Sequence, residues 1–387
     1  MMRSPPRRAG LAAAAAACCV LNGLASPAWA DVTRPLLRLS AEQRYDDDLL
    51  LRTGTGLLPG QSLTKLTPLL GVKRTGPNGT LEAWYAADAF FRETTGVARL
   101  DHRAAFTWSR TSSRRTRSSA EVRLYRVSDP TSLPRVGMAR TLSPVLYGKA
   151  TGALTQQLSQ RWSLRPSLLA EGAQVYEPGR PPGGLLAPSL EAWWRASRRD
   201  SLGAEARWQA FAYGVETSQA PGVFAGYRRD LARDLSLTVK AGPNFFNSAR
   251  GESRVVPRLT AELAQERETV NVGLVAGNDL VGASGFTDAL WAQFASAFGN
   301  WHPVRPLRLY GVASVYRNGP ALAPLFADLP PSAGVGTGYA VEAGVDWSWT
   351  RHANVQGAFT RIAQVGVGTT ELSRNIVAVR LVLHPAE

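Results

Sequence analysis

Leu235-Ser236-Leu237-Thr238-Val239-Lys240-Ala241 alternates strictly: Leu235, Leu237, Val239 and Ala241 share one face, and Ser236, Thr238 and Lys240 share the other. A period of two is that of a β-strand with one apolar and one polar face. The same grammar runs outward in both directions. Leu37, Leu39 and Ala41 oppose Arg38, Ser40 and Glu42, and Leu202, Ala204, Ala206 and Trp208 oppose Glu205, Arg207 and Gln209. Toward the C-terminus Leu307, Leu309 and Gly311 oppose Arg308 and Tyr310. Val341, Ala343, Val345 and Trp347 oppose Glu342, Gly344 and Asp346, and Val377, Val379, Leu381 and Leu383 oppose Arg380. Alternation is poor only around Gly148 to Leu158 and Gly273 to Asn278.

Two kinds of connector take turns between these strands. Short polar ones are read at Thr75 to Gly79, Ser112 to Thr116, Ser159 to Trp162, Ser197 to Asp200, Leu231 to Asp234, Glu266 to Glu268, Gly299 to His302 and Arg351-His352. Longer ones rich in Gly and Pro are read at Thr53 to Gly60, Asp129 to Pro144, Glu177 to Gly184, Thr217 to Gly222, Asn278 to Gly285 and Asn318 to Gly338. One short-turn rim and one long-loop rim are what a barrel requires. The expected fold is all-β: a transmembrane antiparallel up-and-down β-barrel of about 18 strands (about 16 to 20), with short periplasmic turns and longer extracellular loops.

A mean hydropathy of −0.14 does not oppose this, because a membrane strand needs only about 9 to 11 residues with alternate side chains facing lipid. Aromatic residues fall where two interfacial girdles belong: Tyr45, Tyr176, Tyr213 and Tyr316 before long loops, and Trp108, Trp162, Trp194, Trp301, Trp347 and Trp349 beside short turns. A soluble β-sandwich would not need an apolar stripe on nearly every strand.

The N-terminus reads as a leader. Arg3, Arg7 and Arg8 precede an apolar run from Leu11 to Leu24, and Ala28-Trp29-Ala30 supplies small residues at the positions a signal peptidase accommodates. Residues 1–30 are therefore expected to be a signal peptide cleaved between Ala30 and Asp31, and residues 31–387 the outer-membrane barrel. Cys18 and Cys19, the only cysteines, lie in the leader, so disulfides and thiolate metal sites are excluded from the mature part. The chain carries 44 Lys+Arg against 30 Asp+Glu; loss of the three leader arginines leaves a net charge of +11.

With about 18 strands the interior is too wide for side chains to fill, and an aqueous lumen is the default. The polar face of the strands then lines it, because charge is costly against lipid. Arg38, Glu42, Arg103, Arg123, Arg195, Arg207, Lys240, Arg308, Glu342, Asp346 and Arg380 are the lumen candidates. Glu121 with Arg123, Glu191 with Arg195, and Glu205 with Arg207 share faces on their own strands and are expected to neutralise each other. Lys240, Arg308 and Arg380 lack such a partner and are the expected anion-attracting surface. The loop Asn318 to Gly338, stiffened by Pro320, Pro324, Pro330 and Pro331, is the expected constriction or lid. Of four histidines, only Asp101-His102 offers an acid and base near the long-loop end. No catalytic residues, metal site, cofactor or nucleic-acid partner are expected, and the chain is not read as an enzyme.

On Ala28-Trp29-Ala30, on the turn grammar of Ser159-Gln-Arg-Trp-Ser-Leu164 and on the terminal strand Asn375-Ile-Val-Ala-Val-Arg-Leu-Val-Leu383, the mature chain resembles bacterial outer-membrane porins. Within them it resembles the barrels of exopolysaccharide export, of alginate-exporter type. The chain departs from the usual barrel in ending Leu383-His-Pro-Ala-Glu387 instead of on an aromatic residue. The resemblance implies an outer-membrane channel that exports exopolysaccharide. Its partners would be outer-membrane lipid, an anionic solute or polysaccharide, and a periplasmic export protein. A general diffusion porin and a plugged structural or surface-binding barrel without transport are the other readings.

Overall fold

The alternation along the chain becomes eighteen antiparallel strands in a computed structural model that describes residues 32–47, 61–92, 98–128, 144–176, 181–282, 289–321, 336–365 and 372–384. The leader and its Ala30–Asp31 junction lie outside the described residues, as do residues 322–335 of the loop expected to form a lid. The strands are β1 (Val32–Asp46), β2 (Gln61–Gly76), β3 (Gly79–Arg92), β4 (Ala98–Ser113), β5 (Thr116–Val127), β6 (Val145–Gln157), β7 (Trp162–Val175), β8 (Gly183–Arg195) and β9 (Asp200–Tyr213). They continue as β10 (Glu216–Ala232), β11 (Leu235–Asn247), β12 (Ser253–Glu266), β13 (Val270–Val281), β14 (Leu290–Val304), β15 (Leu307–Pro320), β16 (Gly336–Ser348), β17 (Ala353–Val365) and β18 (Leu372–Leu383).

Every strand pairs with its chain neighbours, and β1 pairs with β18 from Leu39–Leu383 to Asp46–Ile376, which closes the ring. Closure leaves no free sheet edge along the seam, the condition for crossing a bilayer with strands. The seam is reinforced where it is densest in charge. Arg374 and Asp46, both fully buried, are joined at 2.5 and 2.9 Å, and the Asn375 side chain donates to Asp47 at 2.6 Å.

Which side of the sheet is the lumen follows from contacts between strands that are not neighbours. Arg207 on β9 reaches Asp279 on β13, and Lys240 on β11 reaches Glu191 on β8. Only the concave side permits this. The opposite side carries exposed Leu37, Leu39, Leu70, Leu124, Leu168, Leu190, Val223, Leu259, Leu274, Val345, Val379 and many similar residues. Exposed aliphatic side chains on strand after strand are a lipid-facing band. The architecture is that of an outer-membrane β-barrel.

The wall departs from a simple cylinder in one place. β12 starts at Ser253 and β13 ends at Val281, yet their pairing stops at Leu259–Asn278. There the Asn278 side chain accepts from the Leu259 backbone N–H at 2.7 Å and donates to the Pro257 carbonyl at 2.8 Å, taking the place of ladder bonds. Above it the β13–β14 tip leaves the wall. Leu290, Trp291 and Ala292 are consecutively buried, and Leu280, Ala289 and Trp291 join Leu185, Phe211, Phe246 and Val256 of β8, β9, β11 and β12 in one apolar cluster. Gly277 makes the bend possible: a Cβ there would lie 2.2 Å from the Leu259 carbonyl oxygen. The described ends of β13 and β14, up to Gly282 and from Ala289, pack into the bore.

Several expected connectors move. Thr217 to Gly222 is not a loop but part of β10, with Pro221 opposite Trp208; the hairpin turns at Gly214-Val215, where Gly214 takes a φ of +59°. Gly299 to His302 lies inside β14, and the turn is Arg305-Pro306, while Asn278 to Val281 belongs to β13 and Gly183-Gly184 to β8. The weakly alternating stretches are regular parts of β6 and β13. Of the tyrosines expected in a girdle, Tyr45 and Tyr176 are exposed, but Tyr213 is buried in the interior cluster and Tyr316 lies inside over Gly338.

Candidate functional site

Residues in register share a side of the sheet, so the lumen face can be followed strand by strand from Glu42. It carries Arg38, Arg103, Arg123, Arg195, Arg207, Lys240, Arg308, Glu342, Asp346 and Arg380. Their partners differ from those the single strands suggest.

The first group sits where the inward tip meets the wall. Lys240 donates to Glu191 and Glu205, both at 2.8 Å, and Arg258 donates to Glu205 at 3.1 Å. Arg207 makes a bidentate pair with Asp279 at 2.6 and 2.9 Å, and Arg258 approaches the same carboxylate at 3.2 Å. The Phe224 ring lies under both guanidinium groups, with centroids 5.2 and 4.6 Å away. Trp193 lies across Gly203 and Gly226, where a Cβ would come within 2.6 and 2.8 Å of the indole, and it donates to Glu191 at 3.2 Å. Three cations and three carboxylates therefore compensate one another in a rigid lattice across β8 to β13.

Lys240 is thus a correction to the expected anion-attracting set. Like Arg258, it is shared by two carboxylates. Glu191 serves Lys240 and not Arg195, and Glu205 serves Lys240 and Arg258 and not Arg207. Glu121 and Arg123 do pair with each other.

The second group lines β18 to β5. Arg380 is also neutralised, donating from Nε to Glu42 at 2.7 Å, and Lys65 joins the same carboxylate at 2.9 Å. Arg103 meets Asp88 at 2.7 Å, and Thr67 donates to that carboxylate at 2.6 Å. Arg38 is exposed on the lumen face, within electrostatic reach of Arg103, Arg380 and Glu82. On β14 to β17, exposed Arg308 donates to the Asn300 side-chain carbonyl at 2.6 and 3.0 Å and lies 5.6 Å from the Tyr310 ring. Glu342 engages the Tyr310 hydroxyl, and Asp346 accepts from Gln356 at 3.2 Å. Arg195 is exposed near the short-turn rim.

Asp101 and His102 are adjacent in a strand and so point to opposite sides. Asp101 faces inward and accepts from the Ser128 backbone N–H at 3.0 Å. His102 faces outward, stacked on Tyr85 with its Nδ1 2.6 Å from the hydroxyl. They cannot act as an acid–base couple. Among the described residues no group of histidines and carboxylates has the geometry of a metal site.

Reading single strands misses Lys65, Asp88, Arg258, Asp279 and Trp193. Arg258 was accessible, since it alternates with Glu262 on one face; Asp279 was not, because the inward tip erases the alternation around it.

No protein-family model and no curated protein matches the chain. Solved structures do. OpdL of Pseudomonas aeruginosa matches over 92% of this chain and 99% of its own, at 13% identity and a TM-score of 0.42. OccK1 (OpdK) of the same organism matches over 91% and 99%, at 10% identity and a TM-score of 0.44. OccK2 (OpdF), solved in complex with glucuronate, matches over 91% and 98%, at 10% identity and a TM-score of 0.43. A likeness at this level goes no further than barrel architecture, which the strand order above already defines.

Proposed function

We propose that this chain is a passive outer-membrane channel through which small hydrophilic solutes diffuse. The observation that carries the reading is a closed eighteen-stranded ring with a lipid-facing exterior and a charged inner wall, part of which stays exposed at Arg38, Arg195 and Arg308. A ring of this size is wider than its side chains can fill. The described ends of β13 and β14, packed on β8, β9, β11 and β12, occupy one sector of the bore and narrow it. Such a narrowed bore suits small solutes better than a polymer, so general diffusion is preferred to the exopolysaccharide export that the sequence resemblance implies.

The test is purified full-length protein in planar bilayers. Stepwise conductance supports the channel; silence from protein that still shows a heat-dependent gel shift would favour a plugged structural barrel. Loss of secreted polysaccharide in a deletion strain, restored by the intact gene, would return the export reading.

A further inference from the structure

Three consecutive short turns repeat one device. In Ser113-Arg114-Arg115, Ser159-Gln160-Arg161 and Ser197-Arg198-Arg199 the serine Oγ accepts the backbone N–H of the arginine two residues on, at 3.1, 3.2 and 3.1 Å. Each turn is also tied to the next strand along the rim. The Arg115 carbonyl accepts from Gln157 N at 2.7 Å, that of Arg161 from Arg195 N at 2.8 Å, and that of Arg199 from Asp230 N at 2.8 Å. Arg114, Arg115, Arg161, Arg198 and Arg199 are all exposed on this connected arc. Of the acids at the arc, Asp200 accepts from Ser197 Oγ and Tyr227 OH, both at 2.7 Å, and lies 3.9 Å from Arg229 and within electrostatic reach of Arg199, while Asp230 lies 3.7 Å from Arg228. Farther along the rim acids are interspersed, and Arg267 is paired with Asp234.

Like charges held on adjoining turns repel within a Debye length of about 10 Å and call for anions between them. The outer wall beside the arc shows what kind. Trp162 and Trp194 are register partners on the lipid face, with ring centroids 6.5 Å apart, and they flank the Arg195 N–H to Arg161 carbonyl bond that ties the turn to the wall. Paired tryptophans mark the headgroup level of a bilayer, and guanidinium forks match phosphate oxygens in pairs.

We propose that the arc formed by the β4–β5, β6–β7 and β8–β9 turns binds the phosphate headgroups of anionic phospholipids in the leaflet on the short-turn side. The proposal rests on the membrane reading above. It assigns a task to arginines that lie outside the lumen.

The test is lipid selectivity. Full-length protein is placed in nanodiscs of phosphatidylcholine with a minority of phosphatidylglycerol and extracted with mild detergent. The ratio of the two lipids retained is then measured by mass spectrometry. Several-fold enrichment of phosphatidylglycerol is expected, falling to the bulk ratio in a variant with all five arginines changed to Gln. It should persist when Arg233, Arg305 and Arg351 are changed to Gln instead. If the fivefold variant does not fold, R198Q/R199Q must lower the enrichment by itself. A bulk ratio in the wild type, or undiminished enrichment in the variants, overturns the proposal. So does a bulk ratio accompanied by block of conductance by polyphosphate added on the short-turn side, which would make the arc a trap for soluble polyanions. Failure of the wild type to enter a bilayer in its heat-shifted form would instead strike at the membrane reading itself.

Discussion

Arg374 and Asp46 show how a single pair of residues bears on the whole barrel. Both side chains are without solvent contact at the seam, and removing Arg374 leaves the buried Asp46 with Arg44 as its remaining described cation. Complete loss of compensation for a buried charge costs about 3–5 kcal/mol. Arg374→Met is therefore expected to lower the stability of the closed ring by less than that, on the order of 2 kcal/mol, read from the denaturant midpoint of its gel-shifted form. Replacing both, with Arg374→Met and Asp46→Leu, should recover much of the loss, because two apolar groups need no compensation. Recovery will be incomplete, since Arg44 also binds Asp46 at 2.9 Å. Equal destabilisation in the single and double variants would mean that backbone pairing alone holds the seam. Outside the spanning segments the Arg267 hydrogen bond holds the Asp234 carboxyl below its usual range. The contribution of that exposed pair is present above the ordinary carboxylate pKa and fades as pH falls through the depressed one.

At the level of the strand, the two faces of β11 sit in different solvents, and substitution should separate them. Val239→Arg puts a guanidinium against lipid, which costs about 2–4 kcal/mol near the midplane. Thr238→Arg puts one in the lumen opposite Glu262 and should change stability by less than about 1 kcal/mol. Similar losses from both, measured by unfolding from vesicles, would contradict the assignment of faces. This contrast is also why so much of the fold was legible: a strand between lipid and water writes its register into every second residue. Legibility failed where that contrast is absent. Ala220-Pro221-Gly222 carries turn-forming residues but stays in the sheet, where Gly222 faces inward against Asn244 and Phe224. At the start of β14, Leu290, Trp291 and Ala292 are buried in succession and leave no period to read. The site suffered most, because a reading confined to one strand sees only partners on that strand, whereas Arg207 and Asp279 are 72 residues apart.

Across the whole molecule, net charge and lumen charge are different quantities. The +14 of the full chain includes the leader and the arginines of the short-turn rim. Inside, Lys240 and Arg380 are held by Glu191, Glu205 and Glu42. The field a passing ion meets is therefore set by cations whose described contacts include no acid at salt-bridge distance, among them Arg38, Arg195 and Arg308. Arg38 lies within reach of Arg103 and Arg380, which are themselves held by Asp88 and Glu42, and of Glu82. A modest preference for anions follows. In bilayers under a salt gradient the reversal potential should lie on the anion side at about 0.1 M, where the Debye length is about 10 Å, and approach neutrality at about 1 M, where it is about 3 Å. R38Q/R195Q/R308Q should remove most of the preference. K240Q should leave the preference in place, because Lys240 is held between Glu191 and Glu205 and of these Glu205 keeps Arg258. Were K240Q instead to abolish the preference without loss of the folded, gel-shifted form, the neutral lattice around Asp279 would have to be the selective element, and the path would run past the inward tip.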